Sequence, residues 1–398
     1  MIAPRAALAR ILSNVKPLGS ESVPLIRAVG RVLAEDMSAR IDLPGFDNSM
    51  MDGYAVRAAD CASVPCRLKA LAVARAGSLP RARVGRGTAV KIMTGAPLPS
   101  GADAVVMKES ALPGPGGTVR ILRAPRRGDF IRSRGEDVRR GMPLLNRGAL
   151  LRPYEVGLLA AQGIARVRVV RAPRVAVLST GDELTPAGTR LRPGRIRDSN
   201  GPALCAALAR LGARVVLART VRDDAAVLER AMRAALARAD MLLVVGGVSV
   251  GDFDHTREVL IRVGARVVFW KVALKPGKPL LYARRGGKPV FGLPGNPVSA
   301  LVCFSEFVRP ALDALQGRAP GPCHLSGILE NGYEKPADRQ QFLFCRARAS
   351  GDGYRLSVIR PQGSGMLARA CAADSLAVAP LGVRRVKAGE RLAFRWLE

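Results

Sequence analysis

Acidic residues and histidines are scarce in this chain of 398 residues. Its 63 Lys and Arg residues stand against 32 Asp and Glu residues, and the two histidines, His255 and His324, are far apart in the sequence. We therefore expect no metal site built on histidine. The seven cysteines include no Cys-x-x-Cys pair, which argues against a zinc site and indicates reduced thiols.

Long apolar runs and aromatic residues are also rare. Nowhere does the chain have the roughly 18 consecutive apolar residues of a membrane-spanning helix. Residues Met1–Arg10 contain no apolar core of a signal peptide. We therefore expect a cytoplasmic protein with no membrane association. Aromatic residues make up 4% of the chain, against 42 Gly and 28 Pro residues, which favours many turns over aromatic packing.

The formal charge of +31 permits two interpretations. A nucleic-acid-binding protein would concentrate its cations in a patch or a tail. Here the arginines are scattered through every segment, and no block of them is present. The charge therefore fits compositional drift on solvated surfaces better, and we expect no nucleic-acid partner.

The first 173 residues combine helical and β patterns. Apolar spacing indicates helices near the start, including one over 23–35, and again over 152–163. Together these segments predict a discontinuous helical N-terminal domain of residues 1–45 and 147–173. Short β-like runs separated by Gly and Pro clusters lie between them, so 46–146 is predicted to be an inserted β domain.

From residue 174 the pattern changes to alternating strands and helices, which predicts a doubly wound α/β domain over 174–317. Within it, a helix is expected over 199–211, and 280–282 is expected to form a hairpin with 290–293. Short strands return over 318–398, where we predict a C-terminal β-barrel. The predicted fold class is therefore multidomain α/β and β.

One stretch of the α/β domain concentrates polar chemistry at a strand end. Met241–Val245 is an uninterrupted apolar run, typical of a parallel strand covered on both faces. Gly246, Gly247 and Ser249 follow it, and Asp254 closes the loop. Glycine lets a backbone approach a ligand closely, and ligands of such sheets lie past the carboxyl ends of the strands. We expect a small-ligand loop with amides for phosphate and a carboxylate for a metal.

Other acid-bearing loops of this domain follow strands or open helices. They are residues 179–183, residues 198–200 and Asp223. Asp198 and Asp223, each taken alone, could be helix caps. Taken together they are harder to dismiss, because strand ends of such a sheet meet in one crevice and clustered carboxylates there need a cation.

Three lysines, Lys271, Lys275 and Lys278, are the counterpart of these acids. Lysine is a compact charge suited to phosphate or another oxyanion, and this chain otherwise prefers arginine. The Pro-Gly-x-Pro segment turns the backbone and would place Lys278 near the same pocket. A solvated strand edge is the alternative. Residues 292–297 predict a rigid turn into a helix whose start favours anions.

A serine hydrolase is a further interpretation of the sequence around Ser249. Gly247-Val-Ser-Val-Gly251 partly mimics the Gly-x-Ser-x-Gly elbow of such enzymes. A triad with His255 would need a strand-to-helix geometry that this spacing does not supply. We therefore do not expect a hydrolase.

Seven motifs spread along the chain carry a resemblance to a known family. They are Phe46-Asp-Asn-Ser-Met-Met-Asp-Gly-Tyr-Ala-Val56, Ile92-Met-Thr-Gly-Ala-Pro97, Arg134-Gly-Glu-Asp137, Ser179-Thr-Gly-Asp-Glu-Leu184, Gly246-Gly-Val-Ser-Val-Gly-Asp252, Lys275-Pro-Gly-Lys-Pro279 and Gly292-Leu-Pro-Gly-Asn-Pro-Val-Ser-Ala300. In this order they resemble the molybdopterin molybdenumtransferase (molybdenum insertase) family, that of MoeA and of the C-terminal part of gephyrin.

The resemblance implies four domains, a MogA-like α/β domain among them, and an elongated homodimer. Its active cleft would lie between the α/β domain of one subunit and domains of the other. The implied reaction takes adenylylated molybdopterin and molybdate, cleaves the pyrophosphate bond with Mg²⁺, inserts molybdenum at the dithiolene and releases AMP. A MogA-like molybdopterin adenylyltransferase is the implied functional partner.

The resemblance also implies roles for individual residues. Asp254 with Ser249 is expected to hold the metal, and Lys275 with Lys278 to bind molybdate. The expected catalytic residues are Asp52, Thr94, Asp137, Glu183, Asp223, Asp254, Lys271 and Lys275. The expected substrate-binding residues are Ser179, Thr180, Gly181, Asp182, Ser199, Asn200, Gly246, Gly247, Ser249, Lys278, Pro279, Pro294, Asn296, Pro297 and Arg339.

The chain departs from the family pattern in its last domain. Family members often have Gly-Arg-x-Glu-Phe where residues 338–342 read Asp-Arg-Gln-Gln-Phe, so the setting of Arg339 is altered. Ala368 and Arg369 stand where the family often has serines. A hydroxyl contact to molybdate would be missing there, and Arg369 would have to replace it.

Two other functions stay open at this point. The adenylyltransferase step uses the same α/β fold, but the extra domains and the motifs around Asp52 and Lys275 argue against it. A scaffold or nucleic-acid-binding protein would fit the charge of +31 and the scaffolding role of gephyrin-like members. Steep salt-dependent binding to nucleic acid without catalysis would support that alternative.

Overall fold

The computed structural model describes residues 1–248, 255–319, 324–351 and 353–397. The chain divides into two units. Unit 1 comprises Met1–Ser22, Gly30–Val32 and Arg168–Glu398, and unit 2 comprises Val23–Val29 and Leu33–Val167. The boundaries of the four predicted domains stay predictions. Within the described ranges, no helix is long and apolar enough to cross a membrane.

The helices and strands have the following bounds. The helices are α1 (Pro4–Leu12), α2 (Pro153–Ala161), α3 (Asn200–Arg210), α4 (Ala225–Arg238), α5 (Thr256–Arg262), α6 (Pro297–Cys303), α7 (Arg309–Leu315) and α8 (Leu367–Cys371). The strands are β1 (Ser20–Pro24), β2 (Met37–Ser38), β3 (Asn48–Ser49), β4 (Gly53–Val56), β5 (Cys66–Ala74), β6 (Thr88–Ile92), β7 (Ala104–Met107), β8 (Ala111–Gly114), β9 (Thr118–Ile121), β10 (Ile131–Arg132), β11 (Pro143–Leu145), β12 (Arg166–Val170), β13 (Arg174–Thr180), β14 (Leu184–Thr185), β15 (Ile196–Arg197), β16 (Arg214–Val221), β17 (Met241–Val245), β18 (Arg266–Trp270), β19 (Leu274–Lys275), β20 (Leu281–Arg285), β21 (Lys288–Leu293), β22 (Leu325–Leu329), β23 (Tyr333–Glu334), β24 (Gln340–Ser350), β25 (Gly353–Val358), β26 (Ser375–Ala379), β27 (Arg385–Val386) and β28 (Arg391–Trp396).

The α/β sheet of unit 1 has six strands in the order β16-β13-β17-β21-β20-β18. The first four are parallel, whereas β20 is antiparallel to both of its neighbours. The apolar run that forms β17 lies inside the sheet and is wholly buried. The predicted doubly wound fold and its β20–β21 hairpin are therefore confirmed.

Residues along the inner strands alternate between two hydrophobic cores. Val177 and Leu243 belong to one core, which also contains residues of α3 and α6. Leu242 and Val244 belong to the other, with residues of α4 and α5. Helices cover both faces of the sheet, so both sets of alternating positions must be apolar. This explains why β17 shows no polar alternation in the sequence.

Local signals set the start of α4. Asp224 precedes it, and its carboxylate accepts a hydrogen bond from the Val227 N–H at 2.8 Å. Asp223, for which a helix cap was the plain alternative, accepts hydrogen bonds from Thr180 and Asp182 instead. Its side chain therefore hydrogen-bonds to the end of β13 and the loop that follows it.

The last part of unit 1 is a closed five-stranded barrel. Its strands follow in the order β24-β25-β22-β28-β26, and β26 pairs back with β24. Leu343, Leu356 and Phe394 are among the buried residues of its core. The predicted C-terminal barrel is confirmed. The first two residues of β24 also pair with β19, which joins the barrel to the lysine-rich loop of the α/β domain.

Unit 2 contains a six-stranded sheet in the order β7-β4-β6-β5-β9-β8. β5 and β6 pair in parallel, and the other neighbours are antiparallel. Tyr54, Val56 and Val106 lie in the buried core of this sheet. The β structure predicted for this part of the chain is confirmed.

Residues 23–35 are not the predicted helix. They contain the end of β1 and a 3₁₀ turn over Leu25–Arg27. Leu25 and Leu33 are both buried. Their backbone N–H groups donate to different carbonyls, that of Leu25 to Ala165 and that of Leu33 to Ala149. The apolar spacing was misleading because these tertiary pairings, not one helical face, bury the apolar side chains.

A cluster of charges fixes the start of the central strand. Asp240 precedes β17, and its carboxylate accepts hydrogen bonds from Arg171 Nη1 and Nη2 at 2.6 and 2.8 Å and from the Arg174 backbone N–H at 2.9 Å. Burial alone would raise the pKa of Asp240. The hydrogen bonds from Arg171 and Arg174 outweigh burial and hold this pKa well below its usual range.

We expect Asp240→Asn to lower the free energy of unfolding at pH 7 by about 2–3 kcal/mol, because two guanidinium groups lose a buried anionic partner. The lowered pKa stabilises the native state above the unfolded-state pKa of about 4, and this contribution is lost as the pH falls through the folded-state value. In urea titrations, the difference in the free energy of unfolding between variant and wild type should therefore become smaller below a pH of about 4.

Glu258→Gln is the control for this prediction, since it removes an exposed ion pair with Arg262. Equal losses of stability in both variants at pH 7 would contradict the role given to Asp240.

Candidate functional site

A cavity of about 290 Å³ in unit 1 lies between the α/β sheet and the barrel. We call it the lysine cavity. Its lining residues are Leu274, Lys275, Pro276, Gly277, Lys278, Pro279, Pro294, Asn296, Val298, Ser299, Arg339, Gln341, Phe342, Phe344, Gln362, Gly363 and Ser364. Six predicted site residues are therefore brought together in one cavity. They are Lys275, Lys278, Pro279, Pro294, Asn296 and Arg339.

The loop that carries the two lysines is held from both sides. On one side, strand pairing places Lys275 directly opposite Gln341. On the other side, the loop packs on α6. Gly277 has φ +115°, and a side-chain carbon there would lie 2.7 Å from the Cys303 Sγ. Only glycine fits this position. The close packing of Gly277 on Cys303 therefore determines the position of the neighbouring Lys278 backbone.

Arg339 reaches the lysine cavity from the barrel. Its backbone carbonyl accepts a hydrogen bond from the Lys335 Nζ at 2.8 Å. Burial lowers the pKa of Lys335, and the charge of Lys275 lowers it further. The Arg339 Nε lies 3.5 Å from the Asp338 Oδ1, and the Asp338 side chain is 59% exposed. Arg339 is thus a cation whose counter-ion lies mostly in solvent.

The charge of the lysine cavity is one-sided. Three lining side chains are cationic, and none of the described residues that line it is Asp or Glu. Lys275 and Arg339 are half-buried, and Lys278 is exposed. Cations that line one cavity repel one another, and an anion between them lowers that repulsion. The cavity can therefore bind a small oxyanion through ammonium and guanidinium donors.

Hydrogen bonds between residues distant in the sequence join another part of the cavity lining. The Asn296 Nδ2 donates to the Ser364 Oγ at 3.0 Å, and the Val298 N–H donates to the Ser364 carbonyl at 3.0 Å. Ser299 is 4% exposed and also lines the cavity. Sequence reasoning did not assign Ser299 or Ser364. Ser364 lies in a Gln-Gly-Ser-Gly segment, and nothing local in the sequence places that segment against α6.

A second group of predicted residues lies at the ends of β13 and β16. The Thr180 Oγ1 donates to the Asp223 Oδ1, and the Asp182 N–H donates to the Asp223 Oδ2 at 3.3 Å. Ser179 and Thr180 are buried, and the Gly181 N–H donates to the Val221 carbonyl at 3.3 Å. Of the acid-bearing loops predicted to converge, the structure therefore joins residues 179–183 to Asp223. Asp254 lies outside the described residues.

Gly246 connects this group to the neighbouring strand ends. It has φ +95°, and a side-chain carbon there would lie 2.5 Å from the Thr180 carbonyl oxygen. Gly247 accepts a hydrogen bond from the Thr256 N–H at 3.2 Å through its carbonyl. The Asn200 Nδ2 donates to the Gly295 carbonyl at 2.7 Å, while the buried Asn200 Oδ1 has no partner among the described residues. Its free acceptor suits an N–H or O–H of a ligand.

The remaining predicted residues of unit 1 have these positions. Glu183 is exposed, and its carbonyl accepts a hydrogen bond from the Ile196 N–H at 2.9 Å. Ser199 precedes α3, and Pro297 is the first residue of α6. Lys271 is not among the residues that line the lysine cavity. Its Nζ lies 3.9 Å from the ring centroid of Trp270.

The two residues predicted to hold a metal, Ser249 and Asp254, lie outside the described residues. Elsewhere in the described ranges, no group of three or more His, Cys, Asp and Glu side chains is placed to hold a metal ion. A fit of Mg²⁺ to these residues is therefore not tested, and the magnesium site stays a prediction.

In unit 2 the structure brings Asp52 and Thr94 together. Asp52 directly precedes β4, and Thr94 follows β6, which pairs with β4. The Asp52 Oδ1 accepts hydrogen bonds from the Thr94 N–H and Oγ1, each at 2.9 Å. These bonds from Thr94 lower the pKa of Asp52, and Lys108 contributes. Asp137 is exposed, and its N–H donates to the Leu43 carbonyl at 3.0 Å.

Three family profiles match consecutive parts of the chain. Residues 2–163 match the MoeA N-terminal region (domain I and II), 176–314 match a probable molybdopterin binding domain, and 326–395 match the MoeA C-terminal region (domain IV). The order of the three is the order of the motifs found in the sequence.

Named relatives cover most of the chain. A molybdopterin molybdenumtransferase of Haemophilus influenzae is 41% identical over 328 residues, which is 82% of this chain and 81% of that protein. The molybdopterin molybdenumtransferase of a Nostoc species is 36% identical over 397 residues, covering 96% and 91%. A crystal structure of the molybdopterin biosynthesis MoeA protein of Pyrococcus horikoshii superposes with a TM-score of 0.83 at 35% identity, covering 99% and 98%. This chain belongs to the molybdopterin molybdenumtransferase family.

Proposed function

We propose that this protein transfers molybdenum from molybdate to molybdopterin and so forms molybdenum cofactor. The observation that carries the proposal is the lysine cavity. Molybdate is a tetrahedral dianion whose oxygens accept hydrogen bonds, and Lys275, Lys278 and Arg339 offer cationic donors in a cavity with no acid among its described lining residues. The family relatives named molybdopterin molybdenumtransferase support the same activity.

We further propose that the molybdopterin is adenylylated and that its pyrophosphate bond is cleaved with release of AMP. The loops after β13, β16 and β17 support this proposal, because strand ends of a parallel sheet bind phosphate-containing ligands. The backbone amides near Gly246 can donate to phosphate oxygens. Asn200, with its unpartnered Oδ1, would accept from the pterin or the adenine. The hydrogen bond between Asn200 and Gly295 links these loops to the turn that lines the lysine cavity.

Mg²⁺ is part of the proposal through Asp254 and Ser249. A bound divalent cation supplies positive charge to the oxygens of the scissile pyrophosphate bond. The residues of this chain would orient the substrate around that bond. Asp223 accepts a hydrogen bond from Thr180 at the same group of loops, so its carboxylate would lie near the phosphates of the substrate.

We also propose that Asp52 is a catalytic carboxylate, positioned by its two hydrogen bonds from Thr94. Asp137 is proposed as a second catalytic acid. Lys271 and Glu183 are proposed as further residues of the catalytic site. A homodimer in the cytoplasm, supplied with adenylylated substrate by a MogA-like adenylyltransferase, completes the proposal.

Light scattering should give twice the chain mass of 42.2 kDa, and a monomer mass would contradict the dimer.

Purified protein supplied with adenylylated molybdopterin, molybdate and Mg²⁺ should release AMP and form cofactor that activates a molybdoenzyme apoprotein. Chromatography measures the AMP, and reconstitution measures the cofactor. Excess chelator should stop AMP release, and added Mg²⁺ should restore it. If neither AMP nor active cofactor forms, the insertase proposal is wrong.

Lys275→Ala should raise the molybdate concentration required for half-maximal cofactor formation by about tenfold or more, because a charge-assisted hydrogen bond to the oxyanion is lost. The maximal rate at saturating molybdate should change less. Lys387→Ala, at an exposed lysine of the barrel part, is the matched control and should leave the requirement unchanged. An unchanged molybdate requirement in Lys275→Ala would remove this residue from oxyanion binding.

A further inference from the structure

We propose that Lys335 is a positioning residue for oxyanion binding, whose ammonium group holds the peptide that orients Arg339 toward the lysine cavity. This role rests on the proposed function, since it takes molybdate as the ligand. It extends that function to a residue that is not among those lining the cavity and that acts through Arg339.

Lys335 is a buried cation of the barrel part. It directly follows β23 and is 7% exposed. Its Nζ donates hydrogen bonds to the carbonyl of Pro336 at 3.0 Å and to the carbonyl of Arg339 at 2.8 Å. Both partners are neutral, and a buried ammonium group is costly without a carboxylate beside it. A cation is therefore an expensive way to hold a turn for packing alone.

The peptide that links Arg339 to Gln340 is held at both of its polar groups. Its carbonyl accepts the hydrogen bond from the Lys335 Nζ, and its N–H donates to the carbonyl of Ala273 at 2.9 Å. Ala273 directly precedes β19, the strand that carries Lys275. Because a peptide is planar, the two bonds fix its orientation and with it the ψ angle of Arg339. Lys335 thus acts on the backbone from which the guanidinium side chain leaves.

The side chain of Arg339 has a weak ion pair of its own. Its Nε lies 3.5 Å from the Asp338 Oδ1, and the Asp338 side chain is 59% exposed. An ion pair that is open to solvent orders a long side chain poorly. An arginine that is already oriented loses less conformational entropy when an anion binds to it. The hold of Lys335 on the adjacent peptide therefore favours oxyanion binding by Arg339.

Isothermal titration of the full chain with molybdate tests this role through a double-mutant cycle. Lys335→Met keeps an unbranched side chain and removes the hydrogen-bond donor. It should weaken molybdate binding by about tenfold, because Arg339 loses its orientation. In an Arg339→Ala background the same substitution should weaken binding by less than about threefold, because the group through which Lys335 acts is already absent.

Lys387→Met is the matched control, since it makes the same substitution at an exposed lysine of the barrel part. It should change molybdate affinity by less than about twofold. Thermal unfolding checks that each variant is folded. If Lys335→Met does not fold, Lys335→Gln, which is also uncharged and is one atom shorter than lysine, takes its place in the cycle with the same expected losses.

The outcomes separate the role of Lys335 from the proposed function. If wild-type protein binds molybdate and Lys335→Met binds it equally well, Lys335 has no role, while the proposed function stands. Equal fold-losses in the presence and absence of Arg339 would show that Lys335 acts by its charge or by general stability, and would overturn its role in positioning. If wild-type protein binds no molybdate, the oxyanion assignment of the cavity is wrong, and so is the role of Lys335.

Discussion

An excess of positive charge in one cavity is the feature on which the candidate site depends. Lys275, Lys278 and Arg339 line one cavity whose described lining residues include no acid. Left alone, such an arrangement is unfavourable, and the fold must hold it in place. Two contacts do so. Strand β19 pairs with β24, and Gly277 packs directly on Cys303. An oxyanion bound in this cavity, as proposed, would lower the repulsion among these cations.

The doubly wound sheet supplies the second half of this arrangement. Its inner strands are buried on both faces, so their carboxyl ends are the places where polar loops can reach solvent and ligand. The contacts of Thr180 with Asp223 and of Asn200 with Gly295 assemble these loops. The second contact leads to the turn before α6, which lines the lysine cavity. The loops at the strand ends and the lysine cavity are thus connected within one unit of the chain.

Sequence reasoning succeeded where the signal was local or carried by motifs. The uninterrupted apolar run of β17 predicted a doubly covered strand. The lysine triplet predicted one pocket, and Lys275 and Lys278, but not Lys271, line the same cavity. It failed over 23–35, because backbone pairings with distant residues, Leu25 with Ala165 among them, replaced the helix. Ser299 and Ser364 could not be assigned, since only the approach of the barrel to α6 brings them to the same cavity. The roles of Ser249 and Asp254, and the domain boundaries, stay predictions.

The most direct test of the central claim is to locate molybdenum in the protein. Crystals grown with molybdate, measured on both sides of the molybdenum absorption edge, give the position of the metal without reference to any side chain. We predict an anomalous peak in the lysine cavity. The oxygens of the molybdate at that peak should lie within hydrogen-bonding distance of Lys275, Lys278 and Arg339. A molybdenum peak only at the loops after β13 and β16, or no peak in crystals at saturating molybdate, would contradict the assignment of this cavity as the oxyanion site.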